Sequence, residues 1–246
     1  MFGHENLLVY KKSLEFIPMG DSLLNLADRP AVARDHLVRA MEGIPLHIAR
    51  AHQAWSAQER ILYLGHANGS VLECAACLDV LVAKQLLTSA QTISGKRLLH
   101  HIASMLIAMQ KSASDRVRED STQSYATNRD VTFSHERLDV YQVALGFVAW
   151  VDARCSKAAA RCDLVERLDR TSTGIVLNIA EGNGRFTPAD HARFLGMAQA
   201  ATVQYAAALD LAVTRQVVHA DSIREGRQML VRICAMLTAM AKLFHP

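Results

Sequence analysis

Cys74 and Cys77 have two residues between them, the spacing at which paired thiols can exchange electrons or hold zinc. No second ligand pair follows at zinc-site spacing, and the pair falls midway along an apolar helical stretch, away from any helix N-terminus. It reads as two reduced core thiols. All five cysteines (Cys74, Cys77, Cys155, Cys162 and Cys234) sit among apolar neighbours, which points to a reducing, cytoplasmic setting. The adjacent His100 and His101 point to different faces of a helix, and no His-Glu-x-x-His pattern, Walker-type loop or nucleophile elbow occurs. The expectation is therefore a protein with no catalytic residues, no metal and no cofactor.

Cations remain the residues able to do something. The formal net charge is +3, from 27 Lys and Arg against 24 Asp and Glu, so only clustering could create a surface attractive to nucleic acid. The candidates are Arg39, Lys84, Lys96, Arg97, Arg170, Arg185, Arg193, Arg215 and Arg227, supported by Arg34, Lys111 and Lys242. Interspersed acids such as Asp79, Asp169, Asp210 and Glu225 allow the competing reading that these are ordinary solvated helix faces. No aromatic-rich stacking surface or sequence-reading module is visible, so any binding would be electrostatic, with little sequence choice.

The elements that must carry these residues follow from composition and from an internal repeat. Among 246 residues, half are hydrophobic, only 6% aromatic, with 12 Gly and 5 Pro, a balance that favours helices over sandwiches, barrels or disorder. No run is long and apolar enough to span a bilayer, and the opening MFGHENLLVYKK has no small-residue cleavage site. Shifted by 131 positions, Phe2-Gly3-His4-Glu5 falls on Phe133-Ser134-His135-Glu136, and Tyr10 falls on Tyr141. The same shift pairs Leu37, Arg39, Gly43, Ile44 and Ile48 with Leu168, Arg170, Gly174, Ile175 and Ile179. Roughly a third of about 110 ungapped pairs are identical, the mark of a tandem duplication. Among the recurring cations are Lys84 with Arg215 and Lys96 with Arg227.

Each copy divides into four helical stretches, which predicts an all-α chain of two antiparallel four-helix bundles over 1–111 and 133–246, joined by a polar linker at 112–132. In the second copy the first helix is expected from about His135 to Ala158 and the second from Asp163 to the Glu181-Gly182-Asn183-Gly184 segment, where glycine can take a left-handed cap. The third opens at Thr187-Pro188-Ala189-Asp190 and runs to about Thr214, and the fourth spans about Asp221 to Phe244. Ser56 and Glu59 mark the equivalent start in the first copy as a capping box. His4 and His135, just before the first helices, suit a capping or interface contact.

The segment Arg170-Thr171-Ser172-Thr173-Gly174-Ile175-Val176-Leu177-Asn178-Ile179-Ala180-Glu181-Gly182-Asn183-Gly184-Arg185-Phe186 is the most distinctive. With Leu138-Asp139-Val140-Tyr141-Gln142 before it and Ala192-Arg193-Phe194-Leu195 after it, the second copy resembles the four-helix-bundle proteins encoded in intervening sequences of bacterial 23S ribosomal RNA genes. These include the accessory variability proteins of diversity-generating retroelements. The first copy keeps the apolar frame but has His47, Arg50, Ala51, Gln53 and Ala54 where the pattern has Asn, Glu, Gly, Gly and Arg. Asn178, Glu181, Gly182 and Gly184 also have a purely structural reading, as helix-end and turn residues, with Arg185 either a partner for Glu181 or an exposed cation. Arg170 and Glu181, eleven residues apart, come back to nearly one face of a helix.

The resemblance implies a bundle that assembles into a ring-like homo-oligomer with a basic surface and, in the retroelement branch, binds nucleic acid and a reverse transcriptase. The first reading is thus a non-enzymatic accessory protein for RNA or DNA. The other is a protein-interaction scaffold whose cations only solubilise it. Arg170→Ala combined with Arg215→Ala is expected, on the first reading, to weaken binding while leaving helicity intact.

Overall fold

A computed structural model describes residues 2–29, 31–115, 132–155, 163–185, 187–216 and 218–243. Among these there are eight α-helices and no strand: α1 (Leu8–Leu26), α2 (Val32–Gln53), α3 (Ala57–Ala83), α4 (Ser89–Asp115), α5 (Asp139–Cys155), α6 (Asp163–Asn183), α7 (Pro188–Thr214) and α8 (Arg224–Lys242). None is long and apolar enough to cross a membrane.

Local chemistry sets several of the boundaries. Thr187 Oγ1 accepts from the backbone N–H of Asp190 at 3.1 Å, with Pro188 at the first helical position, so α7 begins where the sequence places it. Ser56 Oγ accepts from Glu59 N–H at 3.1 Å, while the Glu59 carboxylate takes the N–H of Trp55 at 3.2 Å, one residue earlier than the usual reciprocal bond. Both long third helices end alike: Gln85 and Gln216 adopt left-handed backbone at φ 57° and 58°. At the first of these, Leu86 N–H returns to Leu81 C=O at 2.9 Å.

Four expectations are corrected. The first helix of the second copy does not begin at His135: a 3₁₀ turn, Ser134–Arg137, precedes α5, and the expected continuation over 156–158 lies outside the described residues. A similar turn, Ala220–Ile223, precedes α8, and α4 extends through Asp115 into the span read as linker, of which 116–131 lie outside the described residues. Finally, no described glycine has positive φ, so Gly182 and Gly184 are not left-handed caps; α6 runs on through Asn183.

Within each copy the helices form a four-membered ring of neighbours: α1 packs on α2 and α4, α3 on α2 and α4, and the second copy repeats this with α5 to α8. Phe16, Leu37, Met41, Ile44, Leu78 and Leu99 fill the first core without solvent exposure beyond 2%. In the second, Phe147 meets Tyr205 edge-on at 4.7 Å and stacks on Trp150 at 5.8 Å. The Trp150 ring is held by an Nε1–H bond to Glu225 at 2.9 Å and abuts Gly226, where a Cβ would come within 2.5–2.8 Å of three ring carbons. Gly226→Ala is expected to cost about 1–3 kcal/mol through this overpacking, read as a lower thermal midpoint; an unchanged midpoint would show that the ring can move aside.

The two copies also pack on each other, α2 and α3 of the first against α5 and α6 of the second, and the buried apolar residues form one continuous cluster. This joint is where most of the chemistry-bearing side chains meet.

Candidate nucleic-acid interface

The joint is lined by three polar groups, each built from residues far apart in sequence. The first lies at the end of α3. Lys84, 3% exposed, pairs with Asp169 on α6, whose other oxygen accepts from the N–H of Val32 at the start of α2 at 3.3 Å. Beside it, Arg29 grips Asp152 with both guanidinium nitrogens, at 2.9 and 2.5 Å, and also donates to the Lys84 carbonyl at 3.0 Å. The hydrogen bond to Asp152 raises the Arg29 pKa further, against its partial burial.

The second group sits between α3, α4 and the start of the second copy. Lys96 Nζ bridges Asp79 at 2.6 Å and Glu136 at 2.8 Å, and Tyr141 donates its hydroxyl to the other Asp79 oxygen at 2.9 Å. Burial would lower the Lys96 pKa, but the two carboxylates outweigh it and hold the ammonium above its ordinary value. Burial raises Glu136 against the pull of Lys96, and burial with the Asp79 charge drives the Tyr141 phenol well up. Asp79, His135 and Glu136 each offer a ligand atom within 4.8 Å of the others, a spacing that could suit a metal, but Lys96 already supplies the cation between the two carboxylates. His135 is completely buried, stacked on Phe133 at 5.6 Å and edge-on to Tyr141 at 4.8 Å.

The third group joins the distinctive segment of the second copy to α2 and α3. Glu181 and Arg185 form an ion pair one helical turn apart, and Arg185 also lies over the Phe194 ring at 4.5 Å. Burial raises the Glu181 pKa despite Arg185. Gly69 of α3 gives this pair room, since a Cβ there would sit 3.2 Å from both Arg185 Nη2 and Glu181 Oε1. Gly184 lies under Leu72 of α3, where any Cβ would overlap the leucine, and its carbonyl accepts from Asn68 Nδ2 at 3.3 Å. Gly182 leaves space for Phe194, whose Cβ would be 2.9 Å from an added one. Close approach, with no left-handed backbone, is thus what these two glycines supply. Asn178 donates to the Gly174 carbonyl within α6 at 2.8 Å.

Facing this pair across the joint are His47 and Arg50 of α2 and His66 of α3, the first two being residues read as loss of the pattern. His47 and His66 pack edge-on at 5.3 Å, and Arg50 lies over Tyr63 at 5.2 Å. Burial lowers both histidine pKa values; the His66 charge, Arg50 and Arg185 add to it at His47, and Arg185, Arg50 and Arg193 at His66. Arg193 lies over Phe194 at 4.9 Å. Arginines of both copies therefore converge here, on aromatic faces.

The cation candidates separate accordingly. Lys84 and Lys96 are corrected: both are enclosed in ion pairs at the joint and offer nothing to a polyanion. Arg185 is held by Glu181, and Arg227 pairs with Asp210 across α7 and α8. Arg170 is exposed and pairs with Glu166 at 2.7 Å, not with Glu181. Arg39, Arg97, Arg193 and Arg215 lie at the surface. Arg50 was missed because the repeat alignment marks it only as a departure; its proximity to Arg185 arises from helices with no local sequence relation. Cys74 and Cys77 are buried on α3, with thiols pushed well up by burial, and Cys155 and Cys162 lie outside the described side chains.

Two four-helix bundles in tandem, closed on each other through a charged joint at the Glu181–Arg185 segment, define a class of duplicated helical-bundle proteins. The chain belongs to the 23S rRNA-intervening sequence protein family, whose model matches residues 5–108 and again 136–239. No curated protein and no solved structure matches the chain.

Proposed function

We propose that this chain is a non-enzymatic accessory protein that binds RNA or DNA electrostatically and works as an assembly of several copies. The observation that carries the reading is the convergence of Arg50 and Arg193, both exposed and both over aromatic rings, on opposite sides of the joint beside Arg185. Arg39, Arg97 and Arg215 are also exposed, as is Arg170 beside Glu166. Stacked guanidinium groups present their donors in a fixed plane, which suits phosphate oxygens. Within this reading the protein partner is a reverse transcriptase, as the resemblance to the accessory variability proteins implies, and co-purification from the native host tests it.

The binding test is a gel shift with RNA and with DNA across a salt series. The unmodified chain is expected to bind most tightly at low salt, and Arg50→Glu with Arg193→Glu to weaken binding by roughly 10- to 100-fold and flatten the salt slope by about 2. Failure of the unmodified chain to shift either nucleic acid at low ionic strength overturns the reading. A scaffold reading has its own support in Trp55, fully exposed at 101%, and Leu46 at 64%; it predicts protein capture that is indifferent to the two arginine changes.

A further inference from the structure

The joint inside the chain is not symmetric, and the repeat carries both of its halves twice. One half is a face of the first copy, made by Asp79 and Lys96 with Leu72, Ala76 and His100 around them. The other is the leading segment of the second copy, Phe133, Glu136 and Tyr141. Shifted by 131 positions, the face becomes Asp210 and Arg227 with Val203, Ala207 and Val231, and the leading segment becomes Phe2, Glu5 and Tyr10. Asp79, Lys96, Phe133, Glu136 and Tyr141 all keep their chemical type, while His100 is replaced by an apolar Val231, yet within the chain only one face meets one leading segment.

Exposure shows which halves are left over. Leu72 is 5% exposed, whereas its counterpart Val203 is 56% exposed; Phe133 is 4% exposed, whereas Phe2 is 68% exposed. The Asp79–Lys96 pair is enclosed at 16% and 15%, while Asp210–Arg227 stands open at 62% and 44%. Val231, in the place of the His100 ring that meets Phe133 at 5.5 Å, is 68% exposed, and Leu211 beside Asp210 is 51% exposed. The main packing partners of α7 are α6 and α8, and those of α8 are α5 and α7. An apolar stripe around an ion pair is thus open on the second copy, and on the first copy Phe2 is exposed while Glu5 and Tyr10 are only half-buried, against the fully buried Tyr141 of the joint.

We propose that the occupant of the α7/α8 face is the leading segment of a second copy of this chain, so that the internal joint is repeated between chains. Glu5 takes the place of Glu136 against Arg227, Tyr10 that of Tyr141 against Asp210, and Phe2 lies on Val231. The contact is heterologous: each chain keeps an unused face at one end and an unused leading segment at the other, so addition is head to tail and gives a ring if the rotation closes, a filament if it does not. This rests on the assembly part of the proposed function and names its surfaces.

The test is molar mass by light scattering over a concentration series at low salt. The unmodified chain should appear at multiples of 27.1 kDa. Arg227→Glu, which puts an acid opposite Glu5, and Glu5→Arg, which puts a cation opposite Arg227, should each weaken association by about tenfold or more while leaving the circular dichroism unchanged. Val231→Asp repeats the test on the face with a different chemistry. An equimolar mixture of the Arg227→Glu and Glu5→Arg chains should regain association with the two chains alternating, because Glu5 meets Arg227 at one contact and the exchanged charges at positions 5 and 227 are again opposite at the next. A monomeric unmodified chain, association that neither charge reversal alters, or a mixture that stays monomeric overturns the proposal. A monomer that still shifts RNA would leave the nucleic-acid reading standing, whereas assembly through this joint with no shift would do the reverse.

Discussion

Replacing Asp169 by alanine is expected to lower the unfolding free energy by about 3–5 kcal/mol, read from urea denaturation at neutral pH. The reason is what remains. Lys84 is 3% exposed, and Asp169 is its ion-pair partner; without it an ammonium stays enclosed between α3 and α6, and the N–H of Val32 loses its acceptor at the start of α2. The reverse change is milder, because Asp169 is 25% exposed and keeps water and the Val32 N–H; Lys84→Met should cost about 1–2 kcal/mol. The double variant, Asp169→Ala with Lys84→Met, should recover most of the loss, since an apolar pair carries no unpaired charge. A loss below about 1 kcal/mol for Asp169→Ala would mean that the Lys84 ammonium reaches water after all.

Acidification should destabilise the folded chain through His135, by an amount on the order of 4 kcal/mol between pH 6.5 and pH 3. The ring is wholly buried, neither nitrogen has a hydrogen-bond partner, and burial together with the nearby Lys96 charge lowers its pKa to about 3. An unfolded chain would hold this proton from about pH 6.5 downward. Between those values the unfolded state binds the extra proton, so the stability is fully present above pH 6.5 and drains away as pH falls. Glu136, whose pKa burial raises, works the opposite way and trims the effect. His135→Leu should flatten the fall in the urea midpoint between pH 7 and pH 4. A variant that loses as much on acidification as the unmodified chain would assign the effect elsewhere.

Much of this architecture is legible in the residues. The 131-position shift announces two equal units, apolar spacing outlines four helices in each, and Thr187-Pro188 and Ser56-x-x-Glu59 place two helix starts by local hydrogen bonding alone. The site is less legible. Asp79, Lys96 and Glu136 come from three different elements, and a Lys on a helix reads as solvated unless the opposing surface is known. His47 and Arg50 read as degeneration of a motif, because an alignment of the copies compares them with Asn178 and Glu181 and not with Arg185, the residue whose charge they face across the joint.

Gly184 shows the same boundary within one residue. Its type is dictated by sequence, and a glycine after a helix suggests a left-handed turn; the fold uses its missing Cβ to let Leu72 of the other copy lie against the chain. By itself, the sequence determined that the protein is a duplicated pair of four-helix bundles with an apolar core, because periodicity and caps act over a few residues along the chain. Only the tertiary structure decided which cations are spent inside the joint and which face solvent, because ion pairing and burial depend on what packs across from a residue, and that distance is not written in sequence separation.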